Sequence, residues 1–595
     1  MRIVCFALSV VSFAAVVAAL LIAAGKGRGK RKIGTMNLLF AGVFAAALFL
    51  FYPIHRGSAI QGSGGNWQAF LLSVFTSMQI FTIGTDYELV FNGIAGWEAP
   101  LAAAYQLWAA VMFVLAPVLT FGFVLSLFKN ISAHGKYLSC YFRDAYIFSE
   151  VNEKSLVLAA DIKKKDRRAA IVFMDTFEGT DERYFEFMEE AKKLDAICFK
   201  KDVLAVNFGI HSPQKSLFFF NISVNETENL DQALRLIEVY NKRPQTHLYV
   251  FSTKVESELL LTQIPKGQVK VRRINEVQSL VNRILYENGN MLFESARLTQ
   301  DGEKKISAVV VGMGSHGTEM VKALSWLGQM DGYTLEINAF DKEENAEEKF
   351  CALAPELMSP VYNGMQVPGE AQYQITIHSG LDVETISFVE RLRERTDTTY
   401  VLISLGDDDV NIRTAVSMRM WFERMGIHPV IQAIVYNSQQ SRALEGIKNY
   451  RGQAYDIDFV GDTETSFSSD VIMDSELEED ALRRHLKWGE EESFWAYEYN
   501  YRSSVATAIH MRARILCGIP GADKREEELT TQERDALEVL EHRRWNAYMR
   551  AEGYIYSGSK DKSSRNDLGK MHHDLVDFAS LSEEDKRKDS QVGSK

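Results

Sequence analysis

Three apolar runs, at residues 3–24, 36–52 and 101–127, fill most of the first 130 positions of this 595-residue chain, and each is long enough to cross a bilayer. They divide the chain into a transmembrane module, residues 1–135, and 460 residues of mixed composition, enough for two to four domains. Flanking charges orient the runs. Lys26, Arg28, Lys30, Arg31 and Lys32 crowd the loop after the first run, and Lys129, Lys136 and Arg143 follow the third. Basic flanks stay cytoplasmic, so three crossings leave the N-terminus outside and everything beyond residue 127 inside a multi-pass protein of the inner (cell) membrane. The first run also has the outline of a cleaved leader, but its basic C-terminal flank reads as a retained anchor.

A further apolar segment, residues 66–86, would reverse that topology if it crossed. Parity therefore favours a re-entrant pore loop, with an extracellular amphipathic helix as the alternative. Irregular backbone at membrane depth must be covered by protein or line a water-filled path, so a re-entrant loop implies an oligomer around a lumen, with a homotetramer as the natural closed form. The segment ends Thr82-Ile83-Gly84-Thr85-Asp86. It resembles the two-span potassium-channel pore, whose Thr-Val/Ile-Gly-Tyr/Phe-Gly strand aims carbonyls at the ion. The resemblance assigns Thr82, Ile83 and Gly84 to that strand. Thr85 and Asp86 depart from it, which leaves potassium selectivity open, and a ring of Asp86 carboxylates would favour monovalent cations in general.

The whole chain's net charge is −13, with the acidic excess on the soluble part, which speaks against a nucleic-acid partner, since that needs a basic face. Cys5, Cys140, Cys198, Cys351 and Cys517 are scattered, with no CxxC and no histidine spacing fit for zinc. They read as free thiols in a reducing cytosol, and no structural metal is expected.

Strand and helix signals then alternate through two tandem units, residues 136–295 and 296–470, the pattern of doubly wound α/β Rossmann-like domains. In the first, strands are predicted at 145–148, 170–174 (ending at Asp175), 196–199, 217–222, 247–251 and 269–271, with a helix at 155–162. Its first turn, Ser149-Glu150-Val151-Asn152-Glu153-Lys154, has no glycine and carries an acid where a pyrophosphate would lie. That unit reads as degenerate, an assembly domain. In the second, a strand at 306–311 runs into Gly312-Met313-Gly314-Ser315-His316-Gly317 and a helix at 318–327. Gly312 permits the tight turn, Gly314 lets backbone approach phosphate, and Gly317 lets helix pack on strand. Asp341, closing a strand at 334–340, is placed to accept a ribose hydroxyl. Asp407 follows a strand at 400–404, at the edge where ligands bind. The plain alternative is a glycine turn kept for packing, and His316 reads as a loop residue. Two such units after an inner helix resemble the RCK or TrkA-N regulatory domains of potassium channels and transporters over residues 140–465. The resemblance implies a ring in which NAD(H) or an adenine nucleotide, as regulatory ligand, biases a gate.

The last unit, residues 471–595, carries EVLEHRRWNAYMRAEGY at 538–554, then His572-His573-Asp574-Leu575-Val576, and then a charged helix signal at 581–589. It resembles the ryanodine receptor repeat (RyR) domain, with His542, Trp545, Arg550, Gly553 and Tyr554 in the first block and His573 or His572, Leu575, Phe578, Leu581, Lys586 and Asp589 in the second. The resemblance implies a small, mostly α-helical, ligand-sensing module. Helical spacing puts His542, Trp545 and Met549 on one stripe and Arg543, Asn546 and Arg550 on the next. Trp545 could stack a base and Arg550 meet a phosphate, with Asn546 and Tyr554 completing the pocket. The structural alternative makes Trp545 and Tyr554 core and pairs Arg550 with a carboxylate. GxSxG, HExxH and Walker A lysine signatures are all absent from the sequence, so no enzyme is expected. The resulting expectation is a ligand-gated cation channel. A membrane-tethered nucleotide sensor or defence effector is the alternative, and an NAD-dependent membrane oxidoreductase the second.

Overall fold

The computed structural model describes residues 1–25, 32–59, 65–174, 183–300, 302–358, 361–362, 365–366, 373–445 and 449–586. The basic loop at 26–31, Asp175 and the end of the charged helix signal at 587–589 lie outside the described residues. The chain divides into two compact units, Met1–Ser139 and Cys140–Lys595.

The first unit is helical: α1 (Arg2–Gly25), α2 (Lys32–Ala59), α3 (Gly65–Gln79), α4 (Glu88–Gly93) and α5 (Ala99–Ser139). Among the described residues, two helical stretches, Leu39–Gly57 and Ala99–Phe121, are long and apolar enough to cross a membrane, and Arg2–Ala18 is a shorter apolar helix. At 1.5 Å per residue α3 is about 22 Å long, short of the roughly 30 Å hydrocarbon core. Its length thus suits a segment that does not span. Polar groups within the unit are matched between helices: Trp108 donates to Ser9 Oγ (2.8 Å), Ser9 to the Ala46 carbonyl (2.6 Å), and His55 bonds Thr76 Oγ1 (2.8 Å). On α5, Leu107, Val111, Val114, Val118 and Phe121 form an exposed apolar stripe at alternating spacings of four and three, the seam geometry of packed helices.

The second unit is built on two parallel sheets. The first takes β1 (Ala145–Phe148), β2 (Ala170–Met174), β3 (Ile197–Phe199), β4 (Leu217–Asn221), β5 (Thr246–Phe251) and β6 (Val269–Ile274), in the spatial order β3-β2-β1-β4-β5-β6. Near-continuous apolar strands such as AIVFM and LFFFN follow from burial on both faces. Helix Glu276–Glu294 leads into the second sheet, with β7 (Arg297–Leu298) antiparallel to β8 (Lys304–Val311), and β9 (Tyr333–Phe340) next to it. After the hairpin of β10 (Val361–Tyr362) and β11 (Met365–Gln366) come β12 (Tyr373–His378), β13 (Tyr400–Ile403) and β14 (Val430–Ile434). A second hairpin, β15 (Asn449–Tyr450) and β16 (Gln453–Ala454), precedes β17 (Ile457–Val460). The spatial order β12-β9-β8-β13-β14-β17 repeats that of the first sheet. In both, the first and fourth strands are neighbours whose connections leave in opposite directions, which opens a crevice beyond their carboxyl ends.

The boundary expected at residue 470 is not a break in packing. Helices Glu498–Leu516 and Thr531–Ala551 share one hydrophobic core with the second sheet, in which Ile306, Leu324 and Ile337 join Ile509, Leu537 and Tyr548. His510 Nε2 bonds the Gln329 carbonyl (2.8 Å) and Arg543 pairs with Asp331 (2.6 Å) across the same junction.

Candidate ligand-binding sites

The glycine turn lies where β8 meets helix Ser315–Leu327, at the carboxyl end of the second sheet's first strand. Gly312 has φ +93°, and a Cβ there would lie 2.6 Å from the Ser404 carbonyl oxygen. A Cβ on Gly317 would lie 1.7 Å from the Gly312 carbonyl oxygen, so helix and turn meet at a distance that only glycine allows. Gly314 differs from both: it is the N-cap, no side chain bonds the first turn of the helix, and nothing stands within 4 Å of where its Cβ would be. Two glycines are thus needed by the fold, while the third keeps an uncapped helix N-terminus open. Such an N-terminus presents unbonded N–H groups and partial positive charge to an anion.

Asp341 reaches that turn. Its carboxylate accepts the Met313 N–H (2.6 Å) and the Glu343 N–H (2.7 Å), so it braces the glycine loop and retains only its remaining lone pairs for a ribose. Asp407 caps helix Asp408–Met425 by accepting the Val410 N–H (2.9 Å), a structural task that the sequence reading did not assign. His316 is not a loop residue: it sits in the first helical turn, accepts or donates a bond with the Tyr436 hydroxyl (3.2 Å), and burial pushes its pKa down. It borders a cavity of about 550 Å³ where the carboxyl ends of the two sheets face each other, lined also by Asn152, Lys154, Phe251, Arg283 and Phe467.

The corresponding turn of the first sheet is closed. Asn152 caps helix Glu153–Lys165 by accepting the Ser155 N–H (2.9 Å), and its amide donates to the Ile222 carbonyl (2.8 Å). Ser149 Oγ accepts the Ile222 N–H (3.0 Å) and Glu150 the Val224 N–H (3.2 Å), which spans the crevice between β1 and β4.

No protein-family model matches the chain, and no curated protein is detectably similar to it. The resemblances to channel pores, to RCK or TrkA-N domains and to RyR domains therefore rest on the residues quoted above.

A larger cavity, about 920 Å³, opens beside helix Thr531–Ala551. His542, Trp545 and Tyr554 line it, together with Tyr499 and Tyr497, so three of the five residues expected in a C-terminal pocket converge there. The other two do different work. Asn546 is buried and donates to the Val576 carbonyl (2.8 Å), as does His542 Nε2–H (2.8 Å), which pins the loop after His572 to the helix. Arg550 is buried with its Nε 3.6 Å from Glu356, as the structural alternative held. Burial raises the Glu356 pKa against the pull of Arg550, and Arg550 is correspondingly lowered by burial. The floor of the cavity is a buried ion cluster: Glu541 accepts from Arg544 (2.7 Å) and pairs with Arg514. Burial opposes the Glu541 carboxylate, but the two guanidiniums outweigh it and hold its pKa below the ordinary value.

In the first unit, the residues of the filter resemblance form a helix-ending turn. Ile80–Thr82 tightens into a 3₁₀ turn, Ile83 is left-handed (φ 58°), and the Gly84 N–H bonds back to the Gln79 carbonyl (2.9 Å). Thr82 Oγ1 also donates to that carbonyl (3.1 Å), Thr85 Oγ1 donates to Gln79 Oε1 (2.9 Å), and Asp86 accepts the Glu88 N–H (3.1 Å). The extended strand that the resemblance implies is replaced by a compact cap. A β-branched residue with positive φ is held there with its side chain exposed.

Proposed function

We propose that the chain is a membrane-anchored ligand sensor: a nucleotide, either NAD(H) or an adenine nucleotide, binds the Rossmann-like second sheet and biases a cation path formed by the N-terminal helices. The observation that carries the reading is the open helix N-terminus at Gly314, held in place by two sterically required glycines and braced by Asp341. Helix Ser315–Leu327, about 20 Å long, starts at that turn and packs against helix Thr531–Ala551, which lines the aromatic cavity; Trp326 meets Tyr548 edge to face at 6.4 Å. A ligand that prefers one arrangement of this helix pair would shift the population of the whole unit. On this reading the chain is a homotetramer in the inner membrane with the larger unit in the cytoplasm; the exposed apolar stripe on α5 supports only that this helix meets lipid or another apolar surface.

The test is ion flux through the purified full-length protein in liposomes, potassium against sodium, with and without NAD and adenine nucleotides. Nucleotide-dependent cation flux that disappears in Gly314→Val supports the channel. A tethered sensor or effector without a pore is the second reading, favoured by the helix-ending turn at Thr82–Asp86; nucleotide binding with no flux would select it. Turnover of NAD would instead select the oxidoreductase.

A further inference from the structure

The loop that Asn546 and His542 pin to helix Thr531–Ala551 carries three potential metal ligands in succession. His572 and His573 are buried at 4% and 6% exposure, Asp574 is partly buried, and one ligand atom from each lies within 4.8 Å of the other two. The two imidazoles are stacked nearly parallel, with centroids 4.8 Å apart. His573 is the telling residue, because both its ring nitrogens are buried with no hydrogen-bond partner. Asp574 Oδ1 stands 3.3 Å from His573 Nε2 without hydrogen-bond geometry. Burying a polar ring with both nitrogens unmatched is unfavourable, so a group that takes up the ring's one lone pair is favoured there. His572 Nδ1 accepts the Asp574 N–H (3.1 Å), which leaves the ring proton on Nε2, so a metal at His572 takes the Nδ1 lone pair in place of that bond; Trp545 packs edge-on against the ring at 5.0 Å.

We propose that His572, His573 and Asp574 bind a divalent transition-metal ion of the zinc class. Two imidazoles and a carboxylate are a common donor set for such ions. Ligand atoms in a formed tetrahedron stand roughly 3.4 Å apart, close to the 3.3 Å between His573 Nε2 and Asp574 Oδ1, so binding closes only the wider separations, by at most about 1.4 Å. All three line the aromatic cavity, so the fourth coordination position faces its interior, where a phosphate or carboxylate oxygen of a bound ligand can take it. The site stands independently of the glycine turn, and its test involves no nucleotide.

The experiment uses full-length protein purified in detergent without a histidine tag, stripped with a chelator and titrated with Co²⁺. About one Co²⁺ per chain, with a visible d–d absorption band displaced by Zn²⁺, is the expected result. Asp574→Asn, which keeps the side-chain shape, should weaken Co²⁺ binding by about tenfold or more, and His573→Ala should abolish the band while the circular dichroism spectrum is retained. Absence of the band in the wild-type protein would overturn the proposal. So would a band of unchanged affinity in Asp574→Asn, whatever becomes of the folding of His573→Ala.

Discussion

The two sheets of the larger unit share a strand order and a crevice, and differ in what fills the turn after the first strand. In the first sheet, Asn152 and Ser155 cap the helix reciprocally, and Ser149 and Glu150 tie β1 to the loop after β4. In the second, the N-cap Gly314 brings no side chain to bond the first turn and crowds nothing. Topology supplies a place for a ligand in both, and a few side chains decide that one is occupied by the protein itself.

Four substitutions or conditions bear on this contrast. The largest effect is expected at Gly317→Ala, whose methyl would meet the Gly312 carbonyl: a loss of roughly 3 kcal/mol, read by chemical denaturation. A loss below 1 kcal/mol would mean that helix and turn can separate, and the steric argument for the glycines would fail. Next comes Gly314→Val. Its side chain has room, so melting of the free protein should hardly change, whereas the roughly 2.7 kcal/mol of stabilisation expected at a hundredfold excess of nucleotide over Kd should vanish. Equal ligand stabilisation in wild type and variant would move the binding site away from the turn. In the first sheet, Asn152→Ala removes a helix cap and a bond to Ile222 and should cost about 1–2 kcal/mol without altering nucleotide response. A changed response would show that the two crevices act together.

The smallest difference is expected in acid. Burial pushes His247 on β5 and His378 on β12 down to about 4 from an ordinary 6.5, so each sheet carries a strand histidine kept neutral. Their contribution is present above pH 6.5 and is lost as pH falls from there toward 4, because the unfolded chain takes up the proton first. Thermal melts between pH 7.5 and 5 should decline, and His378→Gln should flatten that decline; an unaltered slope would mean the ring is hydrated in the folded state.

Much of this architecture was legible from residue patterns. β1 and β2 match the predicted 145–148 and 170–174, and the strand at 306–311 and helix at 318–327 differ from β8 and Ser315–Leu327 only at their starts. Strands with four or more consecutive apolar residues were visible. β12, β14 and β17 were not: YQITIH, VIQAI and IDFV are short and interrupted by polar residues, a pattern read as a strand only in β6 and in β9, the latter following the glycine turn and its helix. The C-terminal site was half legible: spacing put His542 and Trp545 on a common stripe, and both line the cavity. Arg550 and Asn546 occupy the adjacent stripe, and spacing could not show that Glu356 and the loop at Val576 lie there. Of the proposed metal-site residues, His572 and His573 were in view only as alternative family landmarks, and Asp574 carried no assignment.

The sequence by itself determined the apolar N-terminal helices, the alternation that builds two parallel sheets, and the glycines that a tight strand-to-helix turn requires, because each depends on local periodicity or backbone sterics. Only the tertiary structure decided that the C-terminal helices share a core with the second sheet, that Asp341 braces the glycine loop, and that Thr82–Asp86 closes a helix. Those outcomes turn on which distant groups meet, His510 with Gln329 or Arg550 with Glu356, and a buried polar group takes whichever partner the packed chain brings within reach.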